Sequence, residues 1–264
     1  MSEPDMHTHS IDEHDQFAGK VAVITGGFPQ LGEATARLLA QRGAAGMVLG
    51  GSSVERGHAV AAIMSAAGCT THFVPADLTN LDDCAAVLTT AEHAFGRIDL
   101  LINNLGVVDS STIWDTSPEA FDHIFALNVR APFFFMQGAA HIMRRSRIPG
   151  VLINIISMSG QSDPPLIPAY HASEGALASM IQSAASAFAE HEISVLGLNI
   201  GWYGAIDDTE SRSSDDVGPW NSLDPGRAPA PQQVAGAIAL LASGNFGTAS
   251  GSIVHLDPGD RDAS

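Results

Sequence analysis

The sequence predicts a doubly wound α/β domain in which a seven-stranded parallel sheet is flanked by helices. From Lys20 onward, short aliphatic or β-branched runs alternate with longer amphipathic stretches rich in alanine and leucine, the pattern of repeated βαβ units. The short runs are mostly apolar, as expected for strands that helices cover on both faces. The chain has 264 residues, a length that doubly wound folds often reach as one domain.

Seven apolar runs are predicted to be strands. In chain order they read VAVIT, GMVLG, THFVPA, LLINN, VLINIIS, SVLGLNIG and GSIVHLD. Six amphipathic stretches are predicted to be helices, at residues 33–42, 54–67, 81–95, 118–145, 170–190 and 231–242. The sequence contains neither an internal repeat nor a second hydrophobic block after a linker. This favours one domain over residues 19–264, behind a flexible polar tail at residues 1–18.

The composition favours a globular protein with a small-molecule substrate. Hydrophobic residues make up 45% of the chain and charged residues 16%, which provides enough apolar material for a large core. Lys and Arg number 12 against 29 Asp and Glu, and the resulting formal charge of −17 repels nucleic acid and anionic membranes. We therefore expect neither as a partner, and a site for an anionic dinucleotide must create its own local positive potential.

The cysteines and the N-terminal segment predict a cytoplasmic protein without a metal site. Cys69 and Cys84 are too few for a disulfide framework, which suits a reducing compartment. The first residues lack the apolar run of a signal peptide or membrane anchor. His7, His9 and His14 are not accompanied by the carboxylate or cysteine arrangement typical of metal sites, so we expect no metal.

A glycine turn follows the first predicted strand and leads directly into a helix. It reads TGGFPQLG from Thr25 to Gly32. Such a turn lets backbone N–H groups and the positive end of a helix meet a pyrophosphate, as in a Rossmann-type domain. Two further polar positions follow later strands, namely Asp77 after the third and Asn103 in NNLG at the end of the fourth.

A second group of polar residues follows the fifth predicted strand. Ser157 ends that strand, and Tyr170 opens the next helix in the stretch YHASE, which also contains Glu174. Asn128 lies in the stretch NVRAPF of the preceding helix.

These motifs together resemble the short-chain dehydrogenase/reductase family over nearly the whole chain, from Gly19 to Gly259. The resemblance implies a Rossmann-type fold, NAD(P) as cofactor and oxidoreductase activity. It also implies that Gly26 and Gly32 hold the pyrophosphate, that Asp77 contacts adenine, and that Asn103 shapes the floor beneath the adenosine.

The resemblance assigns the reaction to three residues. Tyr170 gives or takes the substrate proton while hydride moves to or from the nicotinamide, Ser157 polarises the substrate oxygen, and the carbonyl of Asn128 holds a water in a proton relay. The family has a lysine four residues after the tyrosine, where it binds the nicotinamide ribose and favours the phenolate. Here that position is Glu174, so the predicted active site is atypical.

Three other positions depart from the family pattern. Gln30 replaces the middle glycine of the turn, which puts phosphate contact there in doubt. Leu105 replaces a small alanine beneath the cofactor, and Ala205 replaces a threonine that contacts it. Four positions that touch cofactor have thus changed, whereas the three that touch substrate are kept.

The residues after the second strand bear on the choice of cofactor. Ser52, Ser53 and Arg56 could receive a 2′-phosphate, and no acidic residue stands at the usual place for binding ribose hydroxyls, so NADP is favoured over NAD. The alternative is that these residues only cap the next helix, for which Ser53 is a suitable N-cap residue.

Glu174 leaves the reaction open. A carboxylate favours the neutral phenol, so Tyr170 would serve as a proton donor, which suits carbonyl reduction better than alcohol oxidation. Glu174 could also accept the ribose hydroxyls. Alternatively, a buried Glu174 is itself the base of a non-redox reaction such as isomerisation, dehydration, lyase cleavage or cyclisation. A third interpretation is an exposed Glu174 in a site that has lost its function.

Three hypotheses follow from the sequence. The first is an NAD(P)-dependent oxidoreductase, a carbonyl reductase acting on a small organic molecule. The second is a non-redox enzyme that uses Ser157, Tyr170 and Glu174 as acid and base groups, and the third is an inactive binding subunit. We also expect a homodimer or homotetramer formed through residues 118–145 and 170–190. The segment near residues 203–230 is predicted to be either a lid over the active site or a disordered insertion.

Overall fold

The computed structural model describes residues 15–26, 30–109, 111–157, 167–200 and 229–256. Its strands are β1 (Val21–Thr25), β2 (Gly46–Gly51), β3 (Thr70–Pro75), β4 (Leu100–Asn103), β5 (Gly150–Ile156), β6 (Ile193–Asn199) and β7 (Ile253–His255). Its α-helices are α1 (Leu31–Gln41), α2 (Val54–Ala66), α3 (Leu81–Phe95), α4 (Pro118–Phe125), α5 (Ala131–Ser146), α6 (Pro168–Phe188) and α7 (Pro231–Ala242).

The seven strands form one parallel sheet in the order β3-β2-β1-β4-β5-β6-β7. The chain moves outward from β1 to β3 and then continues at β4 on the other side of β1. The connections therefore diverge between β1 and β4, which opens a crevice at the carboxyl ends of these strands, where ligands of doubly wound folds bind. The predicted seven-stranded Rossmann-type sheet is confirmed.

Two apolar layers cover the sheet. Successive side chains of a strand point to opposite faces, so Ala22 and Ile24 enter one layer and Val23 enters the other. The first layer contains the buried faces of α1, α2 and α7, and the second contains those of α3, α5 and α6. Helices on both faces account for the predominantly apolar central strands.

The stretch predicted as a single helix at residues 118–145 is divided in the structure. A π-helical turn at Ala126–Arg130 separates α4 from α5. Pro132 lies in the first turn of α5 and cannot supply the N–H group that the carbonyl of Asn128 would receive in a regular α-helix. Pro132 therefore accounts for a break that the apolar periodicity alone did not predict, and Asn128 lies within the widened turn.

The packed part of the chain begins before residue 19. Phe17 is buried in the first apolar layer, and its N–H donates to the carbonyl of Arg42 at 2.8 Å. Gln16 donates to the carbonyl of Ala239 at 3.0 Å. An aromatic side chain thus anchors the last residues of the segment predicted as a tail. Residues 1–14 of the predicted tail lie outside the described residues, and so does the predicted lid near residues 203–230 up to residue 228.

Candidate active site

The carboxyl end of β5 and the first turns of α6 meet at one point. The N–H of Ser157 donates to Oε2 of Glu174 at 2.7 Å, and the hydroxyl of Tyr170 donates to the carbonyl of Ser157 at 3.3 Å. The backbone of Ser157 is therefore held at its N–H by one predicted site residue and at its carbonyl by another. The structure brings Ser157, Tyr170 and Glu174 together as the sequence analysis expected.

Glu174 is a buried acidic residue. Only 5% of the residue is exposed, and among the described residues no Lys, Arg or His forms an ion pair with it. Burial raises the pKa of Glu174 from its ordinary 4.5 to about 7, although the hydrogen bond from the Ser157 N–H acts in the opposite direction. The carboxyl group is therefore present in both its charged and neutral forms near neutral pH.

Asn128 ties the site to the crevice between β1 and β4. Its side-chain oxygen accepts from the N–H of Val107 at 2.8 Å, and its amide group donates at 3.0 Å to the carbonyl of Val107 and at 3.0 Å to the hydroxyl of Ser173. Ser173 in turn donates to the carbonyl of Tyr170 at 2.7 Å. Because the carboxamide is engaged on both sides, Asn128 can assist a reaction through its main-chain carbonyl.

Ser173 belongs to the hydrogen-bond network of the candidate site, although the sequence analysis did not predict it. It is fully buried and joins Asn128 to the first turn of α6. Its position three residues after Tyr170 could have indicated this role, because a serine in a helix can donate to the carbonyl one turn earlier. Its partner Asn128 is distant in sequence, so the pair was not visible from spacing.

The glycine turn after β1 is closely packed at its first glycine. Gly26 has a φ of +68°, and a Cβ atom there would lie 2.9 Å from Cα of Leu105. Gly26 also donates to the carbonyl of Gly50 at 2.8 Å, and Asn104 donates to its carbonyl at 3.4 Å. Gly32 is buried in the first turn of α1. Gly26 and Gly32 thus flank the turn, and residues 27–29 between them lie outside the described residues.

Two of the residues that depart from the family pattern, Gln30 and Leu105, fit into the fold without displacing other groups. The side chain of Gln30 is exposed, and it makes no capping hydrogen bond at the start of α1. Leu105 is buried in the apolar layer that contains α3, α5 and α6. The added bulk of Leu105 is therefore absorbed by the core.

Asn103 has an internal role. Its amide group donates to Oδ1 of Asn154 at 2.9 Å, and its oxygen accepts from the hydroxyl of Thr25 at 3.3 Å. These three buried residues lie in register on β1, β4 and β5. Asn103 thus ties together the strand ends that form the floor of the crevice.

Asp77 is exposed beyond β3. One of its carboxylate oxygens accepts from the N–H of Thr79 at 2.9 Å and from its hydroxyl at 2.8 Å. These bonds from Thr79 lower the pKa of Asp77, which keeps it ionised. The second oxygen remains able to accept from a ligand at the carboxyl edge of the sheet.

The carboxyl end of β2 offers hydroxyl groups and one guanidinium group. Ser52 is exposed, and Ser53 precedes α2 in the N-cap position without a capping hydrogen bond from its side chain. The guanidinium of Arg56 lies 3.9 Å from the carboxylate of Glu33, which also pairs with Arg37 at 2.6 Å. The interpretation of Ser53 as a side-chain cap is therefore not supported, because no such bond is formed.

Comparison with known proteins decides the family. The family described as short chain dehydrogenase matches residues 20–215. The chain belongs to the short-chain dehydrogenase family. It is 31% identical to 2-dehydro-3-deoxy-D-gluconate 5-dehydrogenase of Escherichia coli over 91% of this chain and 95% of the relative. It is 30% identical to cyclopentanol dehydrogenase of Comamonas testosteroni over 91% and 96% of the two chains.

Solved structures agree with this membership. A mutant of a Serratia marcescens short-chain dehydrogenase/reductase superposes with a TM-score of 0.80 at 27% identity, covering 92% of this chain and 98% of that one. A metagenomic short-chain oxidoreductase in complex with NADP superposes with a TM-score of 0.76 at 29% identity, covering 93% and 100%. As a member of this family, the protein is an NAD(P)-dependent oxidoreductase.

The described residues contain neither a membrane-spanning helix nor a metal-binding cluster. None of their helices combines the length and apolar character needed to cross a membrane. Among the described residues, no group of three or more His, Cys, Asp or Glu side chains could hold a metal ion.

The buried carboxyl group makes the stability of this dehydrogenase depend on pH. The folded protein keeps a proton on Glu174 up to about pH 7, whereas the unfolded chain releases it near 4.5. Stability is therefore expected to fall by about 3 kcal/mol as pH rises through this window, and to stay lower above it. The Glu174→Gln variant stays neutral and keeps an acceptor for the Ser157 N–H, so it should lack this decline.

Urea unfolding at pH 5 and pH 8 measures the difference. Glu190→Gln is the matched control, because Glu190 has a largely exposed side chain and should follow the wild type. An identical pH dependence in wild type and Glu174→Gln would show that Glu174 ionises as freely in the folded protein as in the unfolded chain.

Proposed function

We propose that this protein is a reductase that transfers hydride from NAD(P)H to the carbonyl group of a small organic molecule, with Tyr170 as the proton donor. The observation that carries the proposal is the convergence of Ser157 and Tyr170 at the carboxyl end of β5, beside the crevice between β1 and β4. Relatives named as dehydrogenases or reductases support it, among them tetrahydroxynaphthalene reductase of Pyricularia oryzae, which is 29% identical over 91% of this chain and 89% of the relative.

The site residues divide the work of the reaction. When bound, the dinucleotide supplies a hydride, which carries two electrons to the carbonyl carbon of the substrate. Tyr170 gives its hydroxyl proton to the carbonyl oxygen, so the tyrosine O–H bond breaks as the alcohol O–H bond forms. Ser157 polarises the same oxygen through its hydroxyl group. Tyr170 then recovers a proton from water ordered by the main-chain carbonyl of Asn128, which lacks the donor of a regular helix because residue 132 is proline.

The buried carboxyl group favours reduction over oxidation. Alcohol oxidation requires Tyr170 to accept a proton, and a nearby carboxylate disfavours the phenolate that would do so. Carbonyl reduction uses the neutral phenol, which the same carboxylate favours. Tyr170 therefore begins the cycle in the form that the reductive direction needs.

NADP is the cofactor that the carboxyl end of β2 favours. Ser52 and Ser53 offer hydroxyl donors, and Arg56 offers a cation there. The carboxylate of Glu33 lies 3.9 Å from the guanidinium of Arg56 and partly neutralises its charge. Arg56 must therefore turn away from Glu33 to form a strong ion pair with a 2′-phosphate. Gly26, Gly32 and Asp77 would hold the rest of the dinucleotide, while Asn103 supports the floor beneath it.

A second candidate function rests on the raised pKa of Glu174. A carboxyl group that titrates near 7 and contacts Ser157 could shuttle protons without a hydride donor, in an isomerase, dehydratase, lyase or cyclase. We rank it below reduction because the crevice, Gly26 and the serines after β2 have no role in it.

We further propose that the protein is cytoplasmic and forms a homodimer or homotetramer. Cys69 and Cys84 are free and buried, which suits a reducing compartment. Exposed aromatic side chains on α4 and α5, at Phe121, Phe133 and Phe134, provide apolar area on the helices expected to pair.

Titration with NADH and NADPH tests the proposal. We expect saturable binding, seen as a change in nicotinamide fluorescence and as a rise in melting temperature, with NADPH binding more tightly than NADH. Absence of saturation by either cofactor up to millimolar concentration would overturn the reductase proposal and favour the proton-transfer candidate.

A further inference from the structure

Glu174 places a single acidic charge against the reacting centre. Apart from this residue, α6 contains no Asp, Glu, Lys or Arg from Pro168 to Phe188. Its carboxylate accepts from the N–H of Ser157 at 2.7 Å and is 95% removed from solvent, since only 5% of the residue is exposed. The charge therefore belongs to the site and is weakly screened by water.

The surrounding elements do not cancel this charge. The helices α4 and α5, the π-helical turn, and strands β5 and β6 all pack against α6. Among their described residues, no charged side chain contributes to the pKa of Glu174, and the causes of its shift in this part of the chain are burial and the hydrogen bond from the Ser157 N–H. Tyr170 and His171 are the other titratable groups in the first turns of α6.

The position of the nicotinamide ring follows from the proposed function, on which this inference rests. Hydride transfer requires the reacting carbon of the nicotinamide ring to approach the substrate carbon to about 3–3.5 Å. The substrate oxygen is held by Tyr170 and Ser157, so the ring must lie beside these residues. Glu174 is bonded to the backbone of one of them, and the ring and the carboxylate are consequently close neighbours.

The nicotinamide ring changes its charge during the reaction. It carries one positive charge in the oxidised cofactor and none in the reduced cofactor, whereas the phosphates, riboses and adenine are the same in both. A carboxylate beside the ring attracts the oxidised form and has no such attraction for the reduced form. A lysine at this position would have the opposite effect.

We propose that Glu174 determines the redox-state preference of the site, so that the protein binds NADP⁺ more tightly than NADPH relative to the same site without this charge. By thermodynamic linkage, a residue that stabilises the oxidised cofactor also makes the bound reduced cofactor a stronger hydride donor. Glu174 thus shifts the equilibrium on the enzyme toward carbonyl reduction.

Separate titrations of NADP⁺ and NADPH, followed by calorimetry, test this inference. The quantity of interest is the dissociation constant of NADPH divided by that of NADP⁺, because effects common to both forms cancel in the ratio. We expect Glu174→Gln to lower the ratio about tenfold, and Glu174→Lys to lower it further. Glu190→Gln removes an equal charge at an exposed position and should leave the ratio unchanged.

The outcomes separate the inference from the proposed function. If neither form binds to the wild-type protein, the proposed function fails. If both bind and Glu174→Gln leaves the ratio unchanged, the function stands and the inference is overturned. Should the variants fail to fold in thermal unfolding, the wild-type protein is compared at pH 6 and pH 8. The ratio should then rise with pH as Glu174 loses its proton, and a constant ratio would overturn the inference.

Discussion

The Tyr170→Phe variant is expected to reduce carbonyl substrates about 10²–10⁴-fold more slowly than the wild type. The change removes the proton donor of the proposed reaction. The ring is buried and the substitution keeps its shape, while the lost hydrogen bond to the Ser157 carbonyl is long, at 3.3 Å. The loss should therefore appear in turnover, with little change in stability.

Steady-state reduction of a panel of small ketones and aldehydes, followed by NADPH absorbance, measures this effect. Affinity for NADPH and the melting temperature should stay close to the wild-type values. Thr90→Val is the matched control, because it deletes an exposed hydroxyl that bonds only within α3, to the carbonyl of Ala86. Wild-type turnover in Tyr170→Phe would remove Tyr170 from the mechanism and favour Glu174 as the proton donor.

The Gly26→Ala variant is expected to lose about 2–4 kcal/mol of stability together with its affinity for dinucleotides. Two costs combine at this position. The φ of +68° is strained for any residue with a side chain, and the new Cβ atom would lie 2.9 Å from backbone Cα of Leu105. Because backbone atoms of β4 and its following turn cannot yield easily, the glycine turn would have to move away from the crevice.

Gly19→Ala separates the two costs. Gly19 has a similar φ of +74°, but a Cβ atom there would meet nothing within 4 Å. We therefore expect a loss of only about 1 kcal/mol and unchanged NADPH binding. Denaturant unfolding and cofactor titration of both variants provide the comparison. Equal destabilisation of the two would show that the close approach to Leu105 has no energetic weight.

Local patterns predicted the fold nearly completely. Predominantly apolar runs bounded by turns identified all seven strands, because strands covered by helices on both faces are rich in apolar side chains. Periodicity identified the helices but merged α4 with α5. The π-helical turn between them follows from Pro132. One proline does not interrupt the amphipathic pattern, which continues from α4 into α5, so the pattern predicted a single helix.

The candidate site was predicted as a set of residues but not as a set of contacts. Ser157, Tyr170 and Glu174 were recognised by position, and the structure brings them together. Asn103 was expected to shape the floor beneath the adenosine, but its bonds with Thr25 and Asn154 on neighbouring strands were not predicted. Strand neighbours are distant in sequence, so such pairings depend on register, which the sequence does not display.

The sequence by itself showed that residue 174 is a glutamate where the family has a lysine, and therefore that the charge at this position is reversed. Its burial, its bond to the Ser157 N–H and the absence of a counterion among the described residues were decided by the tertiary structure. The physical reason is that the pKa of a carboxyl group depends on the solvent and charges around it, and folding assembles those surroundings from β5 and α6.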